Sequence, residues 1–160
     1  MSKRPDESVG ISSEELLGDI GAPDASEMYL IRNLFLREEP LVENTSFDSV
    51  LHPQELRIQF TDGIGDSEWC RLDSTWYTSG AYRFHYVDAM NVNWRFDCHP
   101  NSHSPEKHFH EPPDARSKTA QPSCITVEEP RLVARAILKL WRRAYETESF
   151  AELNTAHNPP

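Results

Sequence analysis

The sequence predicts an α+β fold in which an antiparallel meander of four to six strands packs against an N-terminal and a C-terminal helix. Three observations predict it. Residues 24–37 and 127–147 space their apolar side chains at helical intervals, the stretch from 56 to 99 places them at alternate positions, and no helical period interrupts that stretch. Parallel strands need a crossover of a dozen residues or more, so consecutive strands joined by short connections pair antiparallel.

Residues 1–11 are polar and without period, and are expected to be a flexible tail. A short helix is expected from Ser12 to Leu17, where serines suit the cap and glutamates suit the positive end of the dipole. A longer one starts at Asp24 or Ser26 with Met28, Leu30, Ile31, Leu34 and Phe35 on one face, and Pro40 ends it. Leu41–Val50 is a weak strand, and Leu56–Phe60 alternates strictly up to the turn signal at Asp62-Gly63. Strands are then expected at Glu68–Leu72, Ser74–Thr78, Ala81–Val87 and Asn93–His99, with a turn at Asp88–Asn91. Residues 100–124 contain five prolines and no period, and are expected to form one long surface loop. Val127–Tyr145 is the strongest helix, with Leu132, Val133, Ala136, Ile137, Leu140, Trp141 and Ala144 in one stripe. Its start is either a capping box from Thr126 to Glu129, or Pro130 in the first turn with Glu129 before it. The organisation expected is a single domain over 12–150 and a second flexible tail over 151–160.

A chain of 160 residues is long enough to bury roughly two thirds of its unfolded surface. No apolar run is long enough to span a bilayer, and Met1–Ser8 carries no apolar segment behind its basic residues, so a soluble cytoplasmic protein without membrane contact is expected. Three scattered cysteines, Cys70, Cys98 and Cys124, argue for buried thiols and against a disulfide framework or a thiolate metal knuckle. The net charge is −10, with twelve arginines and only four lysines. Such an acidic, lysine-poor surface suits solubility in concentrated salt, where any nucleic-acid contact must be local because phosphate contacts are screened. Arg131, Arg135, Lys139, Arg142 and Arg143 form a basic helix face against that trend, either a solvated face or a docking surface.

Five of the seven histidines lie between Tyr82 and His110. Alternation places Tyr82, Phe84 and Tyr86 on one side of the first strand of this hairpin, and Arg83, His85 and Val87 on the other. In the second strand Trp94, Phe96 and Cys98 oppose Asn93, Arg95, Asp97 and His99. The aromatic sets should pack on the C-terminal helix, leaving Arg83, His85, Arg95 and Asp97 together on the second face, with Arg71 able to join them. Guanidinium groups can hold a phosphate and an imidazole can move a proton near neutrality. The plain alternative is a ladder of ion pairs on a wet sheet face. His99, His103, His108 and His110 form a second group, in which the spacing of His108 and His110 would aim both side chains the same way in an extended segment. They are read as local hydrogen-bonding groups, as site residues, or as ligands of a metal. No phosphate-binding loop, dinucleotide fingerprint or serine-nucleophile motif is present, and no cofactor is expected.

The order of tyrosine-rich strand, short turn, Trp94-Arg95-Phe96-Asp97, and His108-Phe109-His110 before a terminal helix resembles the TumE family of toxin components from toxin–antitoxin pairs. The resemblance covers about 80–148, and neither residues 1–50 nor the proline-rich insert has a placed counterpart. It implies a small α+β protein that acts on RNA or nucleotides and is neutralised by an antitoxin partner. It also implies that Tyr86, Arg95, Asp97, His108 and His110 are site positions. Separately, Trp141–Glu146 is similar to the ends of small proteins of unassigned function in halophilic archaea, a likeness that carries no activity. The reading that follows is a TumE-like protein binding and cutting RNA without metal. His108 or His85 would move the proton, with His110 and Asp97 beside them, while Arg83 and Arg95 stabilise the phosphorane and Tyr86 contacts substrate. The alternatives are a non-catalytic interaction module and a metal-binding protein using the loop histidines, and the oligomeric state is left open.

Overall fold

Each of the strands pairs antiparallel with the one before it, so spatial order follows chain order across a seven-stranded sheet. The computed structural model describes residues 20–99 and 107–155. In it α1 (Ala25–Glu38) precedes β1 (Val42–Phe47), β2 (Leu56–Phe60), β3 (Cys70–Trp76), β4 (Tyr82–Asp88), β5 (Asn93–Cys98), β6 (Lys107–His110) and β7 (Gln121–Pro122), and α2 (Pro130–Thr147) follows. The α+β meander with a helix at either end is thus the fold, with one strand more than the upper expectation. The helix expected at Ser12–Leu17 and the tail over 1–11 lie outside the described residues.

Both helices start where their sequences dictate. The Asp24 carboxylate accepts from the backbone N–H of Glu27 at 3.2 Å, closing the first turn of α1. At α2 the second of the two expected starts is found: Pro130 sits in the first turn and Glu129 accepts from the N–H of Leu132 at 3.1 Å. The helix stops at Glu148, which adopts the left-handed conformation.

The core lies between the helices and one face of the sheet. Leu56, Ile58 and Phe60 of β2, Cys70 and Leu72 of β3, Phe84 and Tyr86 of β4, and Trp94 and Phe96 of β5 are fully buried there, together with Ile31 and Phe35 of α1 and Ile137 and Trp141 of α2. Burying a large apolar side chain contributes about 1.5–3 kcal/mol, and the aromatic rings stack as well as fill space. Tyr86 and Trp94 are parallel at 4.9 Å, and Phe60 stacks on Trp141 at 4.4 Å. Leu153 is also buried and the Asn154 side chain accepts from the Cys124 N–H at 2.7 Å, so the chain stays docked past the end of α2, where a loose tail had been expected from 151.

Three expectations are corrected. Glu68–Leu72 and Ser74–Thr78 are not two strands: β3 runs unbroken from Cys70 to Trp76, with Ser74 taking a core-facing position that an apolar pattern does not reveal. The 100–124 stretch is not all loop, because β6, β7 and a short helical turn at Ser117–Thr119 lie within it. The basic face of α2 is not an open patch either. Arg135 makes a two-pronged pair with Glu38, Arg142 pairs with the buried Glu39, and Arg143 donates to the carbonyls of Glu152 and Thr155.

Candidate active site

The face of the sheet turned away from the helices carries the polar residues of the alternation, and the strand register sorts them into two rungs. Asp73, His85, Arg95 and His110 stand opposite one another on β3, β4, β5 and β6, and Thr75, Arg83, Asp97 and His108 form the adjacent rung. Cross-strand neighbours approach to about 5 Å at Cβ, so groups distant in sequence, such as Arg95 and His110 or Asp97 and His108, become neighbours, while Asp73 and His110 stand three strands apart. The segment after β6 covers part of this face: the Asn93 N–H donates to the Pro113 carbonyl at 2.7 Å, and the Arg116 carbonyl lies 3.3 Å from His110 Nδ1.

At the centre is a buried trio. Arg95 Nε donates to Asp97 Oδ2 at 2.7 Å, His110 Nε2 lies 3.1 Å from the same oxygen, and Arg95 Nη2 is 3.2 Å from His110 Nε2. Asp97 and His110 are only 7 % and 5 % exposed. Burial pushes the Asp97 carboxyl up, but the His110 bond and the Arg95 charge outweigh it and hold the group below the ordinary carboxylate value. A carbonyl oxygen only accepts, so the Arg116 contact is a hydrogen bond when His110 carries a proton on Nδ1, which leaves Nε2 to face Asp97 and Arg95. In the neutral ring Nε2 accepts from the Arg95 guanidinium, and in the protonated ring it donates to Asp97. Each protonation state therefore has its own partner, as a group that exchanges a proton during a reaction requires.

His108 stands beside this trio. Its ring lies 4.9 Å from the His99 ring and 6.1 Å from the His110 ring, centre to centre. Burial, then the neighbouring His99 and His110, lower its pKa, which favours the neutral imidazole of a base. His85 is held separately, its Nε2 2.8 Å from Asn93 Oδ1, and burial lowers its pKa too. Arg71 is committed to Asp73 through Nε at 2.7 Å and Nη2 at 3.0 Å. Arg83 is exposed, opposite Asp97, and no hydrogen bond or ion pair occupies its guanidinium among the described residues. A cleft of about 260 Å³ opens beside these groups, lined by Tyr77, Ala81, Arg83, Arg95, Asp97 and His99 among others.

Of the residues expected at a site, His85, Arg83, Arg95, Asp97, His108 and His110 share this face. Tyr86 does not. Its ring is fully buried on the helix side, its hydroxyl donates to Asp88 Oδ2 at 2.7 Å and accepts from the Ile64 N–H at 3.3 Å, and it reaches nothing at the polar face. The sequence puts Asn93 on this face but not among the site residues, and it leaves out Tyr77 and Asp73, the latter because it falls between the two strands expected where β3 runs unbroken. Of the proposed metal ligands, His103 lies outside the described residues, and among the described residues no three His, Cys, Asp or Glu side chains are placed to hold a metal ion.

A family model described as Toxin TumE matches residues 31–148, most of the chain. The chain belongs to the TumE toxin family. The match starts well before residue 80, so the second half of α1 and β1–β3 are part of the TumE unit rather than an addition to it. TumE membership makes this a toxin-like protein whose partner, in general, is an antitoxin. No curated protein and no solved structure matches the chain significantly. No helix among the described residues is long and apolar enough to cross a membrane.

Proposed function

We propose that this TumE-family protein cuts RNA on the polar face of β4–β6 by transesterification that needs no metal. The observation that carries the reading is the Arg95–Asp97–His110 trio with His108, whose pKa burial lowers, beside it and an uncommitted Arg83 at the rim. Arg83 binds the scissile phosphate, and Arg95, already fixed by Asp97, adds charge stabilisation as the phosphorane forms. His108 removes the proton from the ribose 2′-hydroxyl, whose oxygen attacks phosphorus. His110, protonated and oriented by Asp97, returns a proton to the departing 5′-oxygen. The products are a 2′,3′-cyclic phosphate and a 5′-hydroxyl, so atoms and charge balance without a co-reactant. The chain's own residues supply both roles a cation would otherwise fill, charge neutralisation and proton movement. The acidic excess elsewhere confines RNA contact to this face, and the protein acts in the cytoplasm until an antitoxin covers it.

The test is growth arrest. Expression of the wild-type chain should arrest cells and deplete intact RNA. His108→Ala and His110→Ala should each accumulate as folded protein and be harmless, because losing a positioned acid or base costs roughly 10²–10⁴-fold in rate. Arrest that persists in both variants would overturn the proposal.

A further inference from the structure

We propose that the cleft beside Arg83 is a base-selective subsite that admits a nucleobase carrying an N–H donor edge next to a ring acceptor, as in cytosine, and disfavours uracil. This rests on reading the polar face as an RNA site and names which part of the RNA the cleft takes. Two observations carry it. The first is an orphaned acceptor. Asp97 uses Oδ2 for both Arg95 and His110, whereas its Oδ1 is buried and has no hydrogen-bond partner. A carboxylate oxygen kept out of water without a donor is costly, and Asp97 lines the cleft, so a ligand that enters and turns the carboxylate toward it would supply one. The second is the shape and lining. About 260 Å³ is just under the roughly 300 Å³ at which sites for drug-sized molecules begin, so it has room for one planar heterocycle. Tyr77, half-buried beside Ala81 in the lining, offers its ring as a stacking surface.

A phosphate does not suit the inner part of this cleft, because Asp97 would repel it. The phosphate belongs at the rim, on Arg83. A base with an exocyclic amino group offers Asp97 Oδ1 an N–H, the same pairing by which acidic side chains read the cytosine amino group in nucleic-acid grooves. Uracil offers its one ring N–H only between two carbonyl oxygens, both of which would face the carboxylate. Discrimination therefore comes from the unpaired charge-assisted acceptor, while stacking on Tyr77 is indifferent to base identity.

The experiment is titration of the wild-type protein with CMP and, separately, UMP, followed by NMR. CMP should bind more tightly than UMP by roughly tenfold or more, the factor carried by one hydrogen bond to a charged group. Tyr77→Ala should weaken both nucleotides by about fivefold or more and leave their ratio in place. Asp97→Asn, whose amide can serve either base, should bring the ratio to within about twofold. Equal affinities in the wild type, or no binding of either nucleotide, would overturn the inference. No bond is broken in this assay, so a preference for CMP can stand in a protein that proves not to be a ribonuclease. An active ribonuclease that binds the two nucleotides equally would overturn the subsite alone.

Discussion

Replacing Asp97 by asparagine keeps the side-chain shape but removes the charge shared by Arg95 and His110. The Arg95 and Asp97 side chains are 17 % and 9 % exposed and that of His110 is 6 % exposed, so solvent screening takes little from either contact. The Arg95–Asp97 ion pair becomes a hydrogen bond from a cation to a neutral amide, and the His110 contact loses the carboxylate charge, together a loss of about 2 kcal/mol. In a protein of this size that lowers Tm by roughly 4–8 °C. The pH dependence has a definite sign. The folded Asp97 carboxyl titrates below its ordinary value of 3.8, so its contribution is complete above that pH and is lost as the pH falls through the folded-state pKa. The gap between wild type and Asp97→Asn should therefore be full at pH 7 and shrink in strong acid. Urea unfolding followed by the fluorescence of the buried Trp94 and Trp141 measures it at both ends. A gap below about 0.5 kcal/mol at neutral pH, within the range of an ordinary surface change, would refute the buried trio. So would a gap that acid leaves unchanged.

Arg83→Ala should weaken RNA binding and reduce the slope of log affinity against log salt by about one, while stability stays within about 0.5 kcal/mol, as fluorescence binding curves at several salt concentrations and a thermal melt will show. Tyr86→Phe should cost about 1–3 kcal/mol, because Asp88 and the Ile64 N–H lose their buried partner, and should leave RNA cleavage unchanged; a large loss of activity without a stability change would return Tyr86 to the site. Arg142→Ala should cost about 3 kcal/mol by stranding the buried Glu39, and Glu39→Gln combined with it should recover part of that in a double-mutant cycle.

How far the sequence reveals this site depends on which interactions are local. Alternation along β4 and β5 is local, and it separated Tyr82, Phe84 and Tyr86 from Arg83 and His85 on parity alone. For Tyr86 the family likeness implies a site position and the strand parity a core position, and the ring lies in the core. β6 was hidden because four residues, Lys107–His110, are too few to establish a period among prolines. Without β6 the spacing of His108 and His110 still showed that they face one way, but not that the register sets them opposite Asp97 and Arg95. Cross-strand register between distant segments leaves no mark in either segment read alone. The same holds for the basic face of α2, since Arg135 and Arg142 find their acids 97 and 103 residues away, on the end of α1.

The central claim is most directly tested by incubating a defined RNA with the wild-type protein and with His108→Ala in the presence of a metal chelator, and resolving the termini of the products. The account predicts 2′,3′-cyclic phosphate and 5′-hydroxyl ends from the wild type, and at least about a hundredfold less product from His108→Ala. No cleavage by the folded wild type, products ending in 3′-hydroxyl and 5′-phosphate, or equal rates from the two proteins would contradict it.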